Sequence, residues 1–235
     1  MKIFVLLGQS NMAGPHISQA NEEDDKRLEG VMLLNAQDEF EPASNPLNKY
    51  STIKWQPLPG LNPGVTFAEN IKGVIGDTVG IVSNSRGSSK IEEWQKGGRY
   101  FEEAVRRSKN AMKYGEIAGI LWLQGEDNTP APEGYAPKLE KFILDIKEEL
   151  GNKNLPFIAC EIMRDVHVPE KWSEEGVIKI NEQIHEVISR LDNCEIIDGS
   201  GVEHVVGDEV HFAPSGMREL GRRYAKKYIE TWLNK

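Results

Sequence analysis

Short runs of apolar residues, most of them continuous rather than alternating, recur along this chain and are separated by longer stretches of helical periodicity. The runs are residues 2–7 (KIFVLL), 31–34 (VMLL), 79–83 (VGIVS), 117–123 (IAGILWL), 156–162 (PFIACEI) and 195–197 (EII). A strand that is apolar at every position has both faces covered, which is the condition of a parallel sheet between helical layers. Helical stripes fall between and after these runs. They are Phe101, Ala104, Val105, Ser108 and Met112; Leu139, Phe142, Ile143, Ile146 and Leu150, stopped by Gly151; Ile180, Ile184, Val187, Ile188 and Leu191; and Met217, Leu220 and Tyr224 after Pro214. Each stripe reads as core packing. The order strand, helix, strand, helix predicts an α/β fold, a three-layer αβα sandwich around a mostly parallel sheet. With no internal repeat and no low-complexity linker, one domain over residues 1–235 is expected.

The pattern breaks at residues 35–64, which hold five prolines and many turn-forming residues. So long a polar stretch predicts a loop. Its aromatics beside prolines, Phe40 and Trp55, favour an ordered loop over a site.

Charge and cysteine content narrow the function. The formal net charge is −9 with no basic run, which argues against nucleic acid and anionic membrane as partners. Cys160 and Cys194 are far apart and form no CxxC pair, so neither a structural zinc nor a disulfide framework is expected, but two buried, reduced thiols. Lys2 precedes only five apolar residues before Gly8 and Gln9, too few for a secretory core, and a cytoplasmic location is the expectation.

Four stretches carry chemistry. In "GQSNMAG" (8–14), Ser10 follows the first strand at the carboxyl edge of the sheet, where ligands of open parallel sheets bind. The turn after it leads into a helix or helical turn, whose free N–H groups stabilise negative charge. Ser10 reads as a nucleophile or as a plain helix cap. A phosphate loop is excluded, because Pro15 and His16 stand where Lys and Ser/Thr would follow the last glycine.

A nucleophilic serine needs a base. Of five histidines, His211 in "GDEVHFAPSG" follows the last strand and precedes the last helix, so it too belongs at the carboxyl edge. Asp208, three residues earlier, is placed to hold one ring nitrogen while the other faces the serine. His185 falls in a helical stretch and reads as solvated, and His16 is too near Ser10 to turn back onto it. His167, with Asp165 two residues before it, stays a rival pair. A metal pair built from His204, Asp208 and His211 is a further alternative. A histidine base acts when neutral, so turnover is expected to rise through roughly pH 6–7.

The third stretch, "ILWLQGEDN" (120–128), ends a buried strand in Gln124, Gly125 and Glu126. The Gln124 amide reads as a donor to an oxyanion, or as a polar strand end with a helix-capping acid. In the fourth, "NSRGSSKIEEW", Gly87 is placed to present a backbone N–H to the same centre. Trp55, Trp94 and Trp172 read either as sugar-stacking rings or as packing.

Together, "GQSNMAG" (8–14), "RGSSKIEEW" (86–94), "WLQGED" (122–127) and "DEVHFAPSG" (208–216) resemble the SGNH hydrolase superfamily. More narrowly, they are similar to its branch of carbohydrate esterase family six and sialate O-acetylesterase-like proteins, related to acetylxylan esterases. The blocks spread over nearly the whole chain in the family's order. The resemblance implies a flavodoxin-like three-layer fold with a sheet of about five strands. It implies hydrolysis of O-acetyl esters on carbohydrate, an acetylated xylo-oligosaccharide or similar, with no cofactor and no metal. Ser10 would be the nucleophile, His211 the base and Asp208 its orienter. The oxyanion hole would comprise the Ser10 N–H, the Gly87 N–H and the Gln124 side chain, with Gln9, Asn11 and Glu126 supporting the site without reacting. The second block often reads Gly-Gly-Thr in the family and here reads Gly87-Ser88-Ser89, so the amide belongs to Gly87 or, if the second position supplies it, to Ser88. Two other classes stay open: a lipase-like or thioester hydrolase on the same scaffold, and a carbohydrate-binding protein without the chemistry.

Overall fold

Seven strands form one sheet: β1 (Lys2–Gly8), β2 (Arg27–Leu34), β3 (Phe40–Ser44), β4 (Val79–Ser83), β5 (Glu116–Leu123), β6 (Phe157–Cys160) and β7 (Cys194–Ile197). The computed structural model describes residues 1–15, 26–54, 60–162, 172–208 and 210–234. Strand order is β3-β2-β4-β1-β5-β6-β7. All neighbours are parallel except the β2–β3 pair. The helices are the single turn α1 (Ser10–Ala13), then α2 (Gly64–Ile75), α3 (Arg99–Ala111), α4 (Tyr135–Glu149), α5 (Glu174–Arg190) and α6 (Pro214–Tyr228).

Ile3 to Leu7 of β1 are fully buried, as a continuous apolar run at the middle of such a sheet requires. Alternate residues feed opposite layers. Phe4 meets Phe67 of α2 and Tyr228 of α6 edge-on, at 4.9 and 5.0 Å between ring centres. Trp122 of β5, in register with Leu7, packs on Phe142 of α4 at 4.5 Å and on Trp94 at 5.2 Å. The helical stripes are buried as their spacing predicts, except that Leu191 is only partly buried and Met112 is exposed, because α3 ends at Ala111.

The sheet has seven strands rather than about five, and the stretch 35–64 is not simply a loop. β3 is an edge strand, where Pro42 removes no needed ladder bond. Phe40 lies on that edge, 5.5 Å from the Tyr114 ring, separated from β1 by β2 and β4, so it covers no site beside Ser10. Other parts of the stretch do reach the carboxyl edge: Asn48 Nδ2 donates to the Ser85 carbonyl, and the Gly60 N–H donates to the Gly14 carbonyl. Trp55 lies outside the described residues. Cys160 and Cys194 are free and buried. Among the described residues no helix is long and apolar enough to cross a membrane.

The chain lays β2 and β4 on one side of β1, then β5, β6 and β7 on the other. That reversal opens a crevice beyond the carboxyl end of β1, between the exits of β4 and β5. Ser10, Gly87 and Gln124 all follow these three strands.

Candidate active site

At the end of β1, Gly8 has φ +146°, and a Cβ there would stand 2.0 Å from the Leu123 carbonyl oxygen of β5. Only glycine lets the chain leave the sheet so close to its neighbour. α1 begins two residues later, with the Met12 and Ala13 N–H groups bonded to the Gln9 carbonyl. Ser10 is therefore the first residue of a helical turn rather than its cap, and that turn is what breaks the first strand.

Ser10 Oγ lies 3.0 Å from His211 Nε2, across 201 residues of sequence. His211 sits on a surface segment that an isolated antiparallel bridge, His204 to Phe212, closes into a loop. The N–H of Val205 donates to the His211 carbonyl and that of Asp208 to the Val205 carbonyl. Asp208 Oδ1 accepts the backbone N–H groups of His211 (2.8 Å) and Val210 (3.2 Å). The same oxygen is 2.8 Å from His211 Nδ1, close enough to pair but without the alignment of a formed hydrogen bond. Burial pushes the Asp208 carboxyl up, and its contacts with the His211 ring and the two N–H groups outweigh this, holding it below the usual range. A hydroxyl, an imidazole and an ionised carboxylate thus stand in sequence, the order needed to pass a proton from oxygen to ring.

His204 does not join them. Its ring packs on Phe212 at 4.5 Å, and burial pushes its imidazole down, which keeps it neutral at pH 7. Among the described residues no three His, Cys, Asp or Glu side chains gather as metal ligands. His185 is on α5, as expected, with its ring half-exposed and 2.7 Å from Glu161 Oε1. His16, Asp165 and His167 lie outside the described residues.

The β4 exit closes the other side. The Arg86 N–H donates to the Gly8 carbonyl at 2.9 Å, and a Cβ on Gly87 would sit 3.7 Å from Ser10 Cβ. Among the described residues, neither the Ser10 nor the Gly87 N–H has a backbone acceptor. Ser88 adopts φ +53°, a left-handed conformation that glycine takes without penalty.

Gln124 departs from expectation. It is fully buried, and its Nε2 donates to the Ser89 carbonyl (2.9 Å), Asn128 Oδ1 (2.9 Å) and Gln9 Oε1 (3.2 Å). Tyr135 Oη donates to its Oε1. An amide nitrogen has two hydrogens. Both are engaged here, leaving none for an oxyanion. Gln124 instead ties Gln9, which precedes Ser10, to Ser89, which follows the Gly87–Ser88 pair. Gln9 extends the tie: its Oε1 also accepts the Gly125 N–H, and its Nε2 donates to Asp127.

Asn11 joins the two halves of the site. Its Nδ2 donates to Glu126 Oε1 (2.7 Å) and to the Val210 carbonyl (3.0 Å), while its Oδ1 accepts the Phe212 N–H (3.2 Å). Nothing in the spacing of "GQSNMAG" marks this double grip. Of the tryptophans, Trp94 is fully buried, bonded through Nε1 to Ser89 Oγ, and stacks on no substrate. Trp172 is partly buried against the core.

The fold that carries this crevice is that of the SGNH-type hydrolases. The family model described as "Carbohydrate esterase, sialic acid-specific acetylesterase" matches residues 1–230, and the chain belongs to that family of carboxylic ester hydrolases. A probable carbohydrate esterase of Arabidopsis thaliana is 27% identical over 251 residues, covering 98% of this chain and 91% of the relative. The solved structure of that Arabidopsis protein superposes with a TM-score of 0.87 at 25% identity, over 98% of each chain. A carbohydrate acetylesterase of Xanthomonas citri has the same fold, with a TM-score of 0.69 at 17% identity over 99% of this chain and 57% of that one. A variant of an acetyl-xylooligosaccharide esterase from Geobacillus aligns with a TM-score of 0.60 at 10% identity, over 100% and 96% of the two chains.

Proposed function

We propose that this protein removes O-acetyl groups from carbohydrate through an acetyl-serine intermediate, with Ser10 as nucleophile, His211 as base and Asp208 as its orienter. The observation that carries this reading is the 3.0 Å approach of Ser10 Oγ to His211 Nε2 at the sheet's switch point. As Oγ attacks the acetyl carbonyl carbon, its proton passes to Nε2. The imidazolium then protonates the departing sugar oxygen, and water repeats the two steps on the acetyl-serine. The backbone N–H groups of Ser10 and of Gly87, with Ser88 as the neighbouring alternative, face the developing oxyanion. Each such donor contributes about 3 kcal/mol to a barrier of this kind. Gln124 serves the oxyanion site indirectly, by fixing the spacing of the two loops that supply the N–H groups.

An acetylated neutral oligosaccharide, such as an acetylated xylo-oligosaccharide, is the substrate class we favour. The net charge of −9 opposes a sugar carrying its own carboxylate. Acetate release from acetylated xylo-oligosaccharides and from O-acetyl sialosides separates the two, and comparing p-nitrophenyl acetate with butyrate separates a deacetylase from a broader acyl hydrolase. Ser10→Ala abolishes turnover of all of them while the unfolding midpoint is kept. A folded Ser10→Ala protein that cleaves p-nitrophenyl acetate at the parent rate would refute the assignment.

A further inference from the structure

Glu126 opens the 3-10 turn after β5, and its carboxyl is sealed from solvent. Oε1 accepts the Asn11 amide, and among the described residues Oε2 has no hydrogen-bond partner. Among the described residues the titratable groups around it are Asp127 on the same turn, Tyr135 of α4, Cys160 at the end of β6 and Tyr224 of α6, and none of these is a cation. Burial pushes its carboxyl up to about 7, opposed by its own backbone N–H, the Asn11 bond and the Gly125 N–H, and reinforced by the charge of Asp127. A buried carboxyl with an idle oxygen is unfavourable to the fold. Its side-chain partner among the described residues, Asn11, is the residue that grips both neighbours of His211.

The chemistry of the pair explains the arrangement. An amide can turn over, exchanging its oxygen and nitrogen, whereas an ionised carboxylate only accepts. Facing a carboxylate, Asn11 must keep Nδ2 toward Glu126 and the Val210 carbonyl. Its Oδ1 is then left for the Phe212 N–H. A turned amide would set oxygen against the Val210 carbonyl and nitrogen against the Phe212 N–H, and the hold on both sides of His211 would be lost. A neutral carboxylic acid enforces the orientation less strictly, because its O–H can donate and its bond to Asn11 lacks charge assistance.

We propose that Glu126 is a positioning residue for His211, acting through Asn11, and that its ionised form holds the imidazole over Ser10 better than its neutral form does. This rests on the reading of Ser10 and His211 as nucleophile and base. Glu126 itself touches no reacting atom.

The test is kcat and KM for p-nitrophenyl acetate between about pH 5.5 and about pH 8.5, for the parent, Glu126→Gln and Glu126→Leu. Glutamine is the isostere of the neutral acid at every pH. The parent-to-Gln ratio of kcat is expected to rise about fivefold across that range as the carboxyl ionises, with KM steady. Glu126→Leu is expected to lose about thirtyfold in kcat throughout. In an Asn11→Ala background the parent-to-Gln ratio becomes flat with pH. A flat ratio with Asn11 in place overturns the proposal, as does a folded Glu126→Leu protein with the parent kcat; the ratio stands whether or not the leucine variant folds. Failure of the underlying reading looks different: Ser10→Ala would then retain the parent rate.

Discussion

Gln9, Asn11, Gln124 and Glu126 are at most 1% exposed, whereas the loop bearing Asp208 and His211 runs along the surface, with Val206 98% exposed at its turn. The Ser10 side of the crevice is bonded to three strand exits: β1 through Gln9, β4 through Ser89 and β5 through Gln124. The His211 side is built from its own backbone turns and reaches the sheet through Asn11 and Ser10. Buried polar networks of the first kind are rigid and expensive to break. A surface loop of the second kind moves at lower cost, so the alignment of the His211 ring depends on a few contacts. Substitutions on the two sides should therefore fail differently, one in stability and the other in rate.

The largest effect belongs to the loop. Asp208→Asn should lower kcat by about a thousandfold, roughly 4 kcal/mol of barrier, with KM and the unfolding midpoint little changed. If the loss falls on stability instead, the loop is structural and the contrast fails. If Asp208→Asn is inert while Asp165→Asn is not, the base is His167.

On the buried side, Glu126 makes stability depend on pH. Its folded carboxyl titrates at about 7, above the usual 4.5, so the folded protein holds a proton that the unfolded chain has released between those values. Its contribution is fully present below about pH 4.5 and is lost as pH rises through 7. Glu126→Gln should remove that loss, worth at most about 3 kcal/mol at pH 8, read from urea midpoints at pH 5 and pH 8. A parallel pH dependence in parent and variant would show that Glu126 is less confined than its burial indicates.

Gln124→Ala should cost about 2 kcal/mol in the same unfolding experiment, since it strips the Ser89 carbonyl, Gln9 Oε1 and Tyr135 Oη of a partner. A loss in kcat with unchanged stability would instead return Gln124 to the oxyanion. The smallest effect is a gain. Ser88→Gly should stabilise by about 1 kcal/mol, because glycine takes the left-handed φ of +53° without strain. A loss would mean that the Ser88 hydroxyl does more than tolerate its position.

Sequence and structure agree most closely where the signal is periodic. Strand 79–83 and the stripes of α4 and α6 fall where apolar spacing puts them. Ser10, Gly87, Gln124 and His211 stand at strand exits because a parallel sheet has only one carboxyl edge. β3 carries no strand signal, because an edge strand tolerates proline and polar residues, which read as loop in one dimension. α2 was hidden behind Pro63 in the same irregular stretch. The orientation of Gln124 and the grip of Asn11 are pairings with backbone groups distant in the chain, 35 residues away for Ser89 and 199 for Val210. No local pattern encodes them.

The claim under all of this is that one hydroxyl, activated by one imidazole, does the chemistry. The direct measurement is labelling with a fluorophosphonate, followed by mass mapping of the tryptic peptide spanning residues 3–26. The account predicts a single adduct on Ser10, formed in step with loss of esterase activity and absent from a folded His211→Ala protein. An adduct on another residue, or full loss of activity with Ser10 unmodified, would contradict it.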